Sequence, residues 1–410
     1  LPGSLTPYVH ESLVRVGAWM PFNFAVELLA DLLRVTVGKS SAVRFTEGAG
    51  AAYVALQNEE ADRIECEAPP APPGSDRMVI SADGAMVPLV HGEWAEVKTL
   101  VIGEVMPAVF ERGDWVVHTE KLSYFSRLTN SEHFEHLTLG EMHRRGVENS
   151  RAVAAVTDGA EWLQSFVDYH CPRAVRILDF PHAGQRIGQI AEASWGQDSA
   201  EGRQWTSEQL HQLKHQGPTE VLARIRALQE QPLEVGVIQE NLGYLEKRQA
   251  QMQYPSFQQQ GWPIGSGIVE SGNKLVVEAR LKGAGMHWKR ENVDSLLALR
   301  NIICSDRWSQ AWPQIEKRLR QQAADRRKAL RLKHRQCKQP AAPADRTPPA
   351  PAIHVSETAS PGPLDTAETI PEVVEPANEK RDRWRPPADH PWRRFRYGRS
   401  LYLPRSPAKK

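Results

Sequence analysis

The chain has 410 residues, 40% hydrophobic and 25% charged. That is enough for two or three domains, and its apolar runs fall far short of the roughly 20 residues a membrane span needs. The formal net charge of +1 argues, as a total, against a nucleic-acid protein, but it hides segments of opposite sign. Residues 311–338 and 381–410 each carry ten Lys/Arg against two Asp/Glu, and residues 339–380 carry two against seven. The first 310 residues are left with a net −10. An acidic body with two basic blocks raises the expectation of a polyanionic partner. Four cysteines, Cys66, Cys171, Cys304 and Cys337, show no C-x-x-C spacing. No zinc motif is visible in them, and they fit a reducing compartment. The first residues, LPGSLTPYVHESLVRVG, lack the pattern of a signal peptide, so a cytoplasmic protein is expected. The sequence starts without a Met, and either a truncation or an upstream segment is expected.

In chain order, residues 1–67 read as helical. The apolar positions of MPFNFAVELLADLL recur at helical spacing, and the TVGKS turn between two helical stretches outlines either a helix-turn-helix or a plain helical hairpin. APPAPPGSD, 68–76, is a boundary, because its prolines continue neither helix nor sheet. Three β-rich runs follow: RMVISADGAMVPLV, EWAEVKTLVIGEVM and DWVVHTEKLSYF. After a helix around 131–149, strands AVAAVT and AVRIL alternate with helices up to residue 195. The fold class expected is α/β, a mixed sheet covered by helices. Residues 196–255 have no strand texture. Val221, Leu222, Ile225 and Leu228 share one helical face, as do Ile238, Leu242, Leu245 and Met252. Residues 256–310 return to the body, 311–338 read as a basic helix, and 339–410 read as a disordered Pro-rich linker with a basic, aromatic tail containing Trp384, Trp392, Arg393 and Arg394.

Several acids sit where a ligand can approach. Asp83 follows the run MVISA and precedes Gly84; Asp158 follows AVAAVT and precedes Gly159. Such residues often only make turns. If the two strands are neighbours, however, their carboxylates converge into a hard-oxygen site suited to Mg²⁺ or Mn²⁺. Glu270, in WPIGSGIVESGNKLVVEARLKG, is the candidate third acid, with Lys274 one turn on and Glu278 as the fallback. Asp179 ends another apolar run and rivals Asp158. It sits in Asp179-Phe180-Pro181-His182, where a histidine can serve beside a metal ligand. Two metals held by three acids suit phosphodiester chemistry.

The ordered motifs ISADGAMVPL, VTDGAEW, LDFPHA and WPIGSGIVESGNKLVVEARLKGAGMHW resemble bacterial insertion-sequence transposases of the ISKra family, which are related to Mutator-type transposases. The resemblance covers about residues 5–310. It implies a ribonuclease-H-like catalytic core at 77–195 and 256–310, with the all-helical segment 196–255 as an insertion before the third acid. It further implies a triad of Asp83, Asp158 and Glu270 holding two Mg²⁺ (or Mn²⁺) ions, with Asp179 and His182 as an accessory pair. The implied activity is metal-dependent cleavage and strand transfer of double-stranded DNA at the terminal inverted repeats of the element and at a target. A homo-oligomer on DNA, in the bacterial cytoplasm at the nucleoid, is implied with it. Members of the family commonly carry an upstream cysteine-rich zinc-binding segment that does not occur in this sequence. A truncated, inactive DNA-binding derivative is therefore one alternative, and a stand-alone nuclease is another.

Candidate DNA-binding residues are Lys274, Arg280, Lys282, Lys289 and Arg290, which either hold phosphates or form a solvated face. Trp288 either stacks an unpaired base or packs beneath the helix that bears Glu270. Lys317, Arg318, Arg320, Arg326, Arg327 and Lys328 in the basic helix are expected to make sequence-independent phosphate contacts.

Overall fold

A computed structural model describes residues 5–111, 114–228 and 235–337; the expectations for 338–410, including the tail tryptophans and arginines, lie outside the described residues. The chain opens with helices α1 (Pro7–Trp19), α2 (Phe22–Leu33) and α3 (Lys39–Glu67). The α1 start is set by Thr6, whose hydroxyl accepts from the Val9 N–H at 3.3 Å, and by Pro7 in the first turn, where no N–H is needed. Strands β1 (Arg77–Pro88) and β2 (Trp94–Val105) follow. Next come a small ribbon, β3 (Val109–Glu111) with β4 (Asp114–Val116), and then β5 (Thr119–Arg127). Helix α4 (Ser131–Arg144), β6 (Ala152–Thr157), α5 (Glu161–His170), β7 (Val175–Leu178) and α6 (Phe180–Trp195) complete the alternating part. A helical layer contains α7 (Ala200–Gln216), α8 (Pro218–Leu228), α9 (Val235–Lys247) and α10 (Tyr254–Gln259). The chain then forms α11 (Gly267–Gly272), a π-helical stretch (Asn273–Glu278), α12 (Ala279–Leu281), α13 (Arg290–Cys304) and α14 (Trp308–Cys337).

The sheet is mixed and five-stranded, in the order β5-β2-β1-β6-β7. β2 is antiparallel to both β1 and β5, whereas β6 is parallel to β1 and β7 to β6. The run DWVVHTEKLSYF is not the single third strand expected from the sequence. Its first half pairs with β3 in the ribbon, and only its second half joins the sheet as β5. Beyond the pair Val105–Thr119 the Met106 N–H still donates to the His118 carbonyl at 2.9 Å, and the pairing stops at Pro107, which has no N–H to donate.

Alternation along β1 divides the core. Met78, Ile80 and Ala82 pack with Phe134 and Leu137 of α4 and with Leu163 and Phe166 of α5. Val79 faces the other way, against Ile187 and Ile190 of α6 and the α7–α10 layer, while Ala85 and Val87 on that same face meet α11, the π-helical stretch and α13. Asp83 lies on this second face, at the seam between the two clusters. The helices of residues 7–67 share a core with 290–315: Val14, Ala49 and Tyr53 pack with Leu299, Ile302 and Trp312. Gly50 is where α3 and α13 touch, since a Cβ there would lie 2.0 Å from the Ser295 carbonyl oxygen. Among the described residues no helix is long and apolar enough to cross a membrane.

Candidate active site at the ends of three strands

Strand register brings the aspartates together. β1 and β6 pair from Arg77 with Ala152 to Ile80 with Ala155, and β6 and β7 pair from Ala154 with Val175 to Thr157 with Leu178. Carrying both registers forward matches Asp83 with Asp158 and Asp158 with Asp179. The β1–β6 ladder ends before these residues, but the charge of Asp158 acts on Asp83 and the charges of all three aspartates act on His182, so the three carboxylates gather in one region. β6 and β7 stop just before their aspartates, while β1 continues past Ile80 paired with β2 but no longer with β6. Ser81 marks the parting: its hydroxyl donates to the Val156 carbonyl at 2.7 Å. This is also where the neighbour of β1 changes from antiparallel to parallel, and crevices outside the carboxyl ends of parallel strands are the usual ligand sites of such sheets.

Each aspartate is held differently. Asp158 Oδ1 accepts from the Ala160 N–H at 2.9 Å, which fixes its carboxylate in a turn at the end of β6. Asp179 is fully buried and caps α6. Its Oδ2 accepts from the His182 N–H at 3.0 Å and from Nδ1 of the His182 ring at 3.1 Å, and its Oδ1 accepts from the Ser266 N–H at 2.6 Å. Burial pushes the Asp179 carboxyl upward, but these hydrogen bonds outweigh it and hold the group below the ordinary carboxylate value. Asp83 is the opposite case. Burial raises its carboxyl above the ordinary value and the charge of Asp158 raises it further. The Gly84 N–H, the His182 charge and the Asn273 amide pull the other way without prevailing. Asn273 Nδ2 donates to Asp83 Oδ2 at 3.0 Å.

His182 is raised above its ordinary 6.5. Its hydrogen bond to Asp179 is the largest cause; burial opposes it, and the charges of Asp179, Asp158 and Asp83 add to the rise. The accessory pair thus sets a cation-forming ring against the two other acids, on the side where half of the ring remains exposed.

The third acid stands apart. Glu270 is exposed on α11, one turn before Asn273, and it is the Asn273 amide that reaches Asp83. Among the described residues no three His, Cys, Asp or Glu gather as a metal site. The donor chemistry of Asp83 and Asp158 does fit a hard divalent cation: two carboxylates, one disfavoured as an anion by burial and by its neighbour, gain from a shared positive charge.

The candidate DNA-binding residues divide by exposure. Lys274, Lys289 and Arg290 are exposed, and Lys282 pairs with Glu278 at 2.7 Å. Arg280 and Trp288 are buried, which removes them as phosphate or base contacts in this conformation. Arg280 donates from Nε at 3.1 Å and Nη2 at 3.0 Å to the Gly17 carbonyl, with its guanidinium over the rings of Phe22 and Trp288. Burial, with the charge of Arg300, brings Arg280 down to about 10. Trp288 donates from Nε1 to the Leu281 carbonyl at 3.0 Å, and its backbone extends the end of β1 by bonds to Pro88 and Val90. It packs beneath the helix, as one of its two sequence readings had it. In the basic helix, Arg320 pairs with Glu316 and Arg318 with Glu59, whereas Arg326, Arg327 and Lys328 are exposed.

Four residues that the sequence did not single out complete the site: Asn273, Ser266, Tyr244 and Arg248. The Tyr244 hydroxyl donates to the Asp158 carbonyl. Arg248 donates to the Gly159 carbonyl from Nε, at 2.8 Å, and from Nη2. The only sequence signal for Asn273 was its place one turn after Glu270; Tyr244 and Arg248 carry none. A scan against protein-family models gave no match to this chain, and a search of curated proteins gave none either.

Proposed function

We propose that this chain is a metal-dependent DNA transposase of the DDE type, built on a ribonuclease-H-like sheet with the helical layer 196–255 as its insertion. The observation that carries the reading is the gathering of Asp83, in β1 just past its last pair with β6, with Asp158 and Asp179, just past the ends of β6 and β7, in a sheet of three antiparallel strands extended by two parallel ones. The motif resemblance assigns the same residues from sequence. Asp83 and Asp158 would hold Mg²⁺ or Mn²⁺, and Glu270, exposed one turn from the Asp83 partner Asn273, would complete the set. Bound there, two such ions supply an activated oxygen nucleophile and stabilisation of the leaving oxygen for an in-line displacement at phosphorus.

The side chains do the rest. Asn273 holds Asp83 by donating to its Oδ2, and Asp179 fixes the tautomer of His182 by accepting from Nδ1–H. A protonated His182 then offers Nε2–H to a phosphate oxygen. Lys274, Lys289 and Arg290 are exposed and would bind the DNA backbone, and the exposed Arg326 to Lys328 of the basic helix would add phosphate contacts. The test is cleavage and joining of linear DNA bearing the inverted repeats of the element in Mg²⁺. Asp83→Asn is expected to abolish both while binding of the same DNA stays within two-fold. Cleavage by the variant at the wild-type rate would overturn the site.

A second reading has one observation in its favour. The exposed Glu270 and the absence of a three-ligand cluster among the described residues suit a DNA-binding derivative without catalysis. That protein would bind repeat DNA equally in Mg²⁺ and in EDTA and yield no nicked product.

A further inference from the structure

The helical layer reaches into the site through one pair of side chains. Tyr244, in the last turn of α9, and Arg248, just past its end, both donate to backbone carbonyls of the Asp158–Gly159 turn. Arg248 is 7% exposed, stacks on the Tyr244 ring with its Cζ 3.9 Å from the ring centroid, and donates from Nη1 to the Tyr244 carbonyl at 3.1 Å. Arg186 of α6 covers the same ring at 4.5 Å and bonds Asn241 of α9 at 3.1 Å. The turn itself requires this closeness. Gly159 has φ +80°, and a Cβ on it would lie 2.5 Å from the Tyr244 hydroxyl and 2.6 Å from Arg248 Nε. A little further on, the Tyr254 hydroxyl donates to the Leu178 carbonyl at 2.9 Å, so the layer also holds the residue before Asp179.

These carbonyls are the ones a parallel sheet leaves without ladder partners where β6 and β7 end, and buried carbonyls need donors. Water or any apolar-faced helix with one serine would meet that need. A planar guanidinium clamped on a tyrosine meets it with a fixed direction. With Oδ1 of Asp158 committed to the Ala160 N–H, locking the two peptides on either side of the Gly159 Cα, the first of them bonded to the Asp158 Cα, holds the turn that the Asp158 carboxylate closes and so limits where its second oxygen points.

We infer that Tyr244 and Arg248 are positioning residues for Asp158, through which the helical layer sets the geometry of the carboxylate pair. The inference rests on the reading of Asp83 and Asp158 as a cation site, and its test separates the two. In the full chain, backbone amide exchange is followed over residues 157–161, and Mn²⁺ binding is measured by titration with the metal alone. Arg248→Ala and Tyr244→Phe are expected to speed exchange in this turn about ten-fold or more while exchange in β1 and β2 stays at the wild-type rate. They are also expected to weaken Mn²⁺ about 10-fold or more, as loss of a group that orients a ligand does. Arg248→Lys, which keeps the charge but not the fork, is expected to recover binding only in part. If the wild type binds no Mn²⁺, the cation reading fails while the exchange data still judge the clamp. Unchanged exchange at 157–161, or a rise shared equally by β1 and β2, would overturn the clamp and leave the pair a merely structural contact.

Discussion

Two acids withdrawn from solvent to different degrees, the fully buried Glu141 of α4 and the half-buried Asp83 of β1, show two ways this fold treats a carboxylate. Glu141, on α4, is fully buried. Burial alone would raise its carboxyl, yet Arg307 and Arg144 outweigh it and hold the group below the ordinary value of 4.5. Arg307 donates to Oε2 at 2.8 Å, and Arg144 donates to the same oxygen. Asp83 has no arginine. Burial and the charge of Asp158 raise its carboxyl, and the Gly84 N–H, the His182 charge and the Asn273 amide do not offset them. A charge that serves packing is neutralised within the chain. A charge left beside a like charge is where the proposed cation would bind.

Removing Glu141 should have the largest effect. Glu141→Ala leaves Arg307 and Arg144 against an empty, dry site, and loss of one member of a buried ion pair costs about 3–5 kcal/mol. Urea unfolding should show this as a lower midpoint with an unchanged slope. The sign with pH follows from the depressed carboxyl: its stabilisation is present above 4.5 and is lost as pH falls through the folded value. A loss below 1 kcal/mol would mean that Glu141 is no better anchored than Asp83.

Gly159→Ala comes next. The substitution strains a left-handed residue and drives a methyl into Tyr244 and Arg248. A cost of about 1–3 kcal/mol is expected, with the exchange increase confined to the Asp158 turn. If thermal stability is unchanged, the turn has room that the close packing denies.

Asp83→Asn should do the reverse of Glu141→Ala. Asp83 is raised in the fold, so its contribution is fully present below its ordinary 3.8 and is lost as pH rises through the folded value. At neutral pH the amide variant should be as stable as the wild type or more so. The contrast sharpens with metal: Mg²⁺ at 100 times its dissociation constant should stabilise the wild type by about 2.7 kcal/mol and the variant hardly at all. Equal Mg²⁺ stabilisation of both proteins would place the cation elsewhere.

The same contrast explains what was legible in the sequence. An acid at the end of an apolar run followed by glycine is a local pattern, and it singled out Asp83 and Asp158 as candidates without any knowledge of pairing. Asp179 ended a similar run, and register puts it beside Asp158 rather than in its place. Exposure was not legible. Arg280 and Lys289 look alike in a basic stretch, yet one is buried on the Gly17 carbonyl and the other faces solvent. Glu141 and its arginines are 3 and 166 positions apart in sequence, and Tyr244 reaches Asp158 across 86. Partnerships of that range are written in the tertiary packing, and periodicity within one helix carries no trace of them.

The smallest effect concerns His182, which stands between the two kinds of acid. Asp179 treats it as packing, accepting from its ring nitrogen and its N–H, while Asp158 and Asp83 act on it through charge alone. Because its folded value is raised above 6.5, its stabilisation is complete below 6.5 and declines as pH rises through that folded value. The ring is nearly half exposed, so solvent screens the effect and the slope should be shallow. Ring-proton chemical shifts followed from pH 5 to 9 should titrate above the range of a free histidine. Asp83→Asn should lower that midpoint, and Asp179→Asn should lower it more, because the hydrogen bond is the larger cause. If Asp83→Asn leaves the midpoint where it was, His182 belongs to the packing of α6 and not to the carboxylate pair.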